Sequence, residues 1–150
     1  MKPTHEKNIA SVTEAVKQLT GHSTAELCSD EVLFTIVSNG NWLYQNSPLP
    51  QKFARMFSGI LHCIQGEYFL ITPVEKVKVV VESWPMVLVE VDATASGFCF
   101  RSTLDTEFNV DKSAIELQDS QILVHLSRGL VGVLNRACYY RYINDFLSVD

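Results

Sequence analysis

The 150-residue chain has no uncharged apolar run approaching the roughly 20 residues that a membrane-spanning helix requires. Its longest apolar stretches, residues 32–37 and 84–89, are strand-sized. The opening Met-Lys-Pro-Thr-His-Glu-Lys is not followed by an apolar core and a small-residue cleavage site, so no secretory signal is read and a cytoplasmic protein without membrane contact is expected. Cysteines are few and scattered. Cys28, Cys63, Cys99 and Cys138 form no Cys-x-x-Cys pair and have no histidine at a matching offset, which argues against a zinc site; four buried, reduced thiols are expected instead. The adjacent His62 and Cys63 make no dyad, because neighbours on a helix point about 100° apart. His5, His22 and His125 stand alone. A Gly-x-Ser-x-Gly elbow, a phosphate-cradling glycine loop and a His-Glu-x-x-His helix are all missing, so no catalytic residue, metal or cofactor is assigned. Positive charge is short as well: 12 Lys and Arg face 17 Asp and Glu, a net of −5. Such a surface does not attract DNA or RNA.

What the chain does have is apolar residues, 47% hydrophobic against 19% charged, enough to bury a core and exclude disorder. Helical spacing of Ile9, Val12, Val16 and Leu19, with Gly21 as a cap, predicts a first helix. Residues 32–37 read as a strand, Asn39-Gly40-Asn41 as a hairpin turn, and residues 42–44 as the returning strand. Ser47-Pro48 is expected to open a second helix, with Phe53, Met56, Phe57, Ile60, Leu61 and Ile64 as its apolar face and Gly66 as its end. Residues 68–71 and 77–81 suggest a hairpin broken at Thr72-Pro73. Short strands follow over residues 86–91, 98–102, 107–110, 114–117 and 122–125. A final helix is predicted over residues 130–146. A boundary near Ser83 to Pro85 is expected to divide the chain into an N-terminal α+β part, 1–83, and a C-terminal part, 84–150.

The charge is uneven across that boundary. Residues 1–83 hold 7 basic and 8 acidic side chains and residues 84–150 hold 5 and 9, yet residues 120–144 carry no acid and three arginines, Arg128, Arg136 and Arg141. On the predicted last helix Leu130, Val133, Leu134, Ala137 and Cys138 form a core stripe, while Gly129, Gly132, Arg136 and Tyr140 collect on another face with Tyr139 beside it. Glycines inside a helix cost about 1 kcal/mol each, so two of them suggest close approach of a backbone or ligand. Arginine offers a planar fork to phosphate or carboxylate and tyrosine a flat face to a base. The simpler account is that the arginines complement a helix C-terminus and the tyrosines finish a core. A second candidate is Thr72-Pro73-Val74-Glu75-Lys76, where Glu75 could accept from sugar hydroxyls and Lys76 meet an anion; a plain turn with a solvated ion pair explains it too. Trp42 and Trp84 could line a pocket, though buried core is the default for so large a ring.

The order of Gly40-Asn41-Trp42 with Tyr44, the Pro48 segment with Met56-Phe57 and Leu61, Gly66-Glu67-Tyr68-Phe69-Leu70, Thr72-Pro73-Val74-Glu75-Lys76, Val79-Val80-Val81-Glu82, and Arg128-Gly129-Leu130 with Arg136 and Tyr139-Tyr140 resembles the bacterial family called domain of unknown function 1285. The resemblance runs from about Gly40 to Phe146. Two positions depart from it: Gln51 stands where the family usually has an arginine, and Ser83 where it has an aspartate. The resemblance implies an α+β fold of two subdomains with duplicated helix-plus-sheet motifs, the C-terminal one a pleckstrin-homology-like partial barrel capped by a helix. It also implies a ligand site between the parts for a nucleotide-like molecule and a role in signal transduction.

The leading expectation is therefore a non-enzymatic ligand-binding regulatory protein. Arg128, Gly129 and Arg136 would hold a small anion, Tyr139 or Tyr140 would stack on its ring, and Thr72, Glu75, Lys76 and Trp42 would orient the rest. The alternative is a protein–protein interaction module whose barrel-like half offers an edge or groove to a peptide, without a small ligand. A hydrolase using Glu75 ranks last, because no nucleophile or metal set accompanies it.

Overall fold

The computed structural model describes residues 11–20 and 32–147; Ile9, Gly21, Cys28, His5 and His22 lie outside them. Among these residues the chain is mixed α+β, with two six-stranded sheets and few helices. It divides between Glu82 and Ser83 into two compact units, the turn residues Ser38–Gly40 grouping with the second.

In the first unit α1 (Val12–Thr20) precedes β1 (Phe34–Ile36), β2 (Trp42–Tyr44), β3 (Ser47–Pro48), α2 (Gln51–Ser58), β4 (Leu61–Ile64), β5 (Glu67–Ile71) and β6 (Lys76–Val81). The helical spacing read in α1 is real: Val12, Ala15 and Val16 are buried. The sheet runs β3-β2-β1-β6-β5-β4, antiparallel except for the central β1–β6 pair. Alternation governs β6, where Val77 and Val79 are buried and Lys76 and Lys78 exposed. Phe34, Trp42, Phe53 and Phe57 make the aromatic core, with Phe34 and Phe57 edge to face at 5.2 Å.

The second helix departs from expectation at both ends. Gln45 and Asn46 both take the left-handed conformation (φ 51° and 68°), a two-residue turn that folds Ser47 and Pro48 back as an edge strand on β2. The helix starts only after Pro50. It stops at Ser58, because residues 61–64 pair with β5 and Gln65-Gly66 (φ 52° and 82°) is the hairpin turn, not a helix end. Over so short an apolar run the helical and strand periods coincide, and the cross-strand partner decides.

The second unit holds β7 (Met86–Ala93), β8 (Phe98–Ser102), β9 (Glu107–Val110), β10 (Ile115–Leu117), β11 (Ile122–His125), β12 (Val131–Leu134) and α3 (Arg136–Tyr142). Its sheet order is β10-β11-β12-β7-β8-β9, again antiparallel except for a central parallel pair, β12 with β7. A register shift between Leu88 and Glu90 bends β7, and the sheet curls into a half-barrel. Met86, Leu88, Phe100, Val124, Cys138 and Tyr142 lie at the centre of its core. The expected helix over residues 130–146 is thus corrected. Its first part is β12, claimed by the parallel pairing of Gly132, Val133 and Leu134 with Met86, Val87 and Leu88. The helix begins at Arg136, where Asn135 Oδ1 accepts the Cys138 amide at 2.9 Å and caps it. The expected burial of the thiols holds for Cys138, while Cys63 and Cys99 are half-buried. No helix among the described residues is long and apolar enough to cross a membrane.

Candidate functional site

In the first unit the Thr72–Glu75 turn closes on itself, the Thr72 amide donating to the Glu75 carbonyl at 3.0 Å. The Glu75 side chain then turns to the start of α1. It accepts the amides of Val12 (2.6 Å) and Thr13 (2.9 Å) and the hydroxyls of Thr13 (2.5 Å), Thr72 (3.1 Å) and Ser11 (3.2 Å). Ser11 Oγ accepts the next amide, that of Glu14, at 3.1 Å. The amides that the first turn of a helix leaves unsatisfied are thereby supplied by two side chains. A carboxylate has about four acceptor sites, so five donors saturate it. Burial raises the pKa of Glu75, but the hydrogen bonds from Thr13, Val12 and Thr72 outweigh burial and hold it below the ordinary value. Glu75 is thus an anionic cap on α1, with Thr72 as its brace. Lys76 is exposed with Nζ 4.5 Å from the Phe69 ring. Trp42 is 2% exposed and stacks on Phe57 at 6.4 Å, its indole N–H without an acceptor among the described residues.

In the second unit Arg128 and Gly129 form the turn between β11 and β12, both with positive φ (59° and 76°), and the Leu126 amide closes it on the Leu130 carbonyl at 2.8 Å. Arg128 is half-buried, and burial lowers its pKa from the ordinary arginine value. Arg136 opens α3 at the other end of β12. Extended chain from Leu130 to Asn135 spans about 16 Å at ~3.3 Å per residue, so the two arginines leave opposite ends of a strand instead of one helix face. Arg136 does meet its predicted neighbours. Its guanidinium lies 5.8 Å from the Tyr140 ring, one helical turn on, and Tyr139 meets Tyr140 edge to face at 5.2 Å. Tyr140 is 50% exposed. The third arginine of the acid-free stretch is neutralised from outside it: Arg141 pairs with Asp92 and Asp145, each at 3.1 Å. Arg136 has no carboxylate partner among the described residues.

One concavity of the second unit escaped the sequence reading. A groove of about 540 Å³ is bordered by residues 107–111, Ala114 and residues 125–127. His125, isolated in sequence, is brought by β10–β11 pairing to 2.7 Å from Glu116. Only register information could have joined these segments. Among the described residues no group of three or more His, Cys, Asp or Glu could hold a metal ion.

Residues 25–84 match the model of the N-terminal domain of the domain of unknown function 1285 family (DUF1285). A DUF1285 family protein from Shewanella baltica, known by crystal structure, is 45% identical, with a TM-score of 0.73 over 79% of this chain and 95% of that one. A second, from Silicibacter pomeroyi, is 22% identical and shares the fold, with a TM-score of 0.65 over 81% of this chain and 78% of that one. No curated protein matches.

Proposed function

Since the chain belongs to the DUF1285 family, as a 45%-identical relative matched over 95% of that relative's length and 79% of this chain establishes, we propose that it is a cytoplasmic, non-enzymatic regulatory protein that binds a small anionic, nucleotide-like molecule in signal transduction. The observation that carries this reading is Arg136. It is exposed, unpaired with any carboxylate among the described residues, and 5.8 Å from the half-exposed ring of Tyr140. A guanidinium beside an open aromatic face supplies both halves of what a phosphate-bearing ring needs. Tyr139 braces that ring from its edge. The saturated carboxylate of Glu75 leaves it little capacity to contact a sugar or activate water, which supports a ligand site on α3.

The finer fold implied by the family is part of the same proposal. Each sheet is two three-stranded meanders joined by a parallel pair of its first and last strands, β1 with β6 and β7 with β12. That common order supports duplicated motifs. The curl of the second sheet, with Cys138 and Tyr142 of α3 in its core, supports a pleckstrin-homology-like barrel with a helical cap.

A thermal-shift panel of nucleoside mono-, di- and triphosphates tests the ligand reading. At least one member is expected to raise the midpoint, and Arg136→Ala and Tyr140→Ala to abolish the rise without lowering the unliganded midpoint. Absence of any shift at millimolar concentrations overturns it.

A further inference from the structure

The edge of β9 carries an inference independent of the α3 site. Among the described residues β9 ends its sheet, with β8 on one side only. Ser102 donates to the Thr106 carbonyl at 2.9 Å where β8 and β9 meet, which makes these two a hydrogen-bonded pair. Bonded and non-bonded pairs alternate along an antiparallel ladder. With Arg101 opposite Glu107, Phe100 opposite Phe108 and Cys99 opposite Asn109, the backbone groups of Phe108 and Val110 face β8 and those of Glu107 and Asn109 point away from it. All four consecutive residues of β9 border the groove. Successive side chains point to opposite faces of a sheet, so a groove touching all four runs along the strand's edge.

That edge is longer and less guarded than the β3 edge of the first unit. β3 in the first unit is two residues long and contains Pro48, which has no N–H to offer. β9 spans four residues, about 13 Å at ~3.3 Å per residue, and contains neither proline nor lysine. The groove's charge has one sign. Glu107 and Asp111 line it, no lysine or arginine among the described residues does, and its histidine, His125, is already held by Glu116. Glu107 makes no ion pair among the described residues. Phe108 and Val110 are half-buried and supply the apolar face.

We propose that the β9 edge binds an extended segment of a partner protein as an added strand, with lysine or arginine opposite Glu107 and an aliphatic residue against Phe108 and Val110. Backbone pairing to Glu107 and Asn109 supplies affinity, and the carboxylates select a basic segment. The probe is a capped hexapeptide of alternating Lys and Val, titrated into the 15N-labelled chain. The Glu107 and Asn109 amide signals are expected to shift. The same peptide N-methylated at alternate amides, and the Glu107→Lys variant with the parent peptide, are expected to bind at least tenfold more weakly, while Arg136→Ala binds as the parent does. No movement of the β9 signals at millimolar peptide, or equal binding by the N-methylated form or by an alternating Glu-Val peptide, overturns the proposal. So does a shift of these signals on dilution of the protein alone, which assigns the edge to a second copy of the chain.

Discussion

The carboxylate of Glu75 accepts the Val12 amide at 2.6 Å across 63 residues of sequence. One side chain in the β5–β6 turn therefore holds the N-terminus of a helix that its own strand does not touch in sequence. An N-cap is worth about 1 kcal/mol and up to about 2 kcal/mol. Glu75→Ala is expected to lower stability by that amount and to speed amide exchange over α1, leaving β7–β12 protected as before. Glu75→Gln keeps one oxygen and should fall between the two. Urea denaturation with hydrogen exchange reads both effects, and unchanged exchange in α1 would contradict the capping role.

The same contact has a pH signature. The folded pKa of Glu75 lies below the unfolded value of 4.5, because its hydrogen bonds to Thr13, Val12 and Thr72 favour the charged form more than burial disfavours it. A depressed carboxylate contributes stability that is fully present above the unfolded value and is lost as pH falls through the folded one. The stability difference between the parent chain and Glu75→Gln should be constant near neutrality and shrink below about pH 4.5. Urea midpoints of the two proteins across that range test this, and a gap that stays constant through acid would show that the charge does not matter.

How far the sequence revealed the fold depended on how local each signal was. The strands β5 to β11 were legible because alternation and turn residues such as Asp119-Ser120 are local. The errors at β4 and β12 share a cause. Residues 61–64 and 131–134 are short apolar runs that satisfy both periods, and only their partners, β5 and β7, distinguish strand from helix. The site divides in the same way. Arg136 and Tyr140 are four apart on a real helix, so their contact could be read directly. Arg128 could not be placed with them once β12 intervened, and the donors to Glu75 and the open edge of β9 come from segments far apart in sequence.

Gly132 shows what β12 requires instead of a ligand. A Cβ at this position would lie 2.9 Å from Leu88 Cδ1 and 3.2 Å from its Cγ, and Leu88 is fully buried. The close approach inferred from this glycine is thus that of a side chain on the parallel neighbour β7. Gly132→Ala is expected to cost about 1–3 kcal/mol through overpacking. Gly132→Ala with Leu88→Val should recover part of it, because the shorter side chain vacates the space. A double-mutant cycle by denaturant unfolding measures the coupling, and strict additivity would place the strain elsewhere.

Cys138 is the described cysteine least able to react. Its side chain is 2% exposed, and burial pushes its thiol from 9.0 up to about 12, against the opposing charge of Arg141. Three pH units lower the thiolate fraction about a thousandfold, and the thiolate is the nucleophile. Cys99 is also shifted up, by burial first and then by Glu107 and Asp92, yet it remains half-buried at the sheet surface. Iodoacetamide at mildly alkaline pH should therefore modify Cys63 and Cys99 well before Cys138, as followed by peptide mass spectrometry. Cys138 lies in the core beside Tyr142, so its labelling requires the second unit to open. Its rate should rise with urea in step with unfolding and become equal to the others above the transition. Early labelling of Cys138 in native buffer would mean that α3 detaches from the half-barrel without global unfolding.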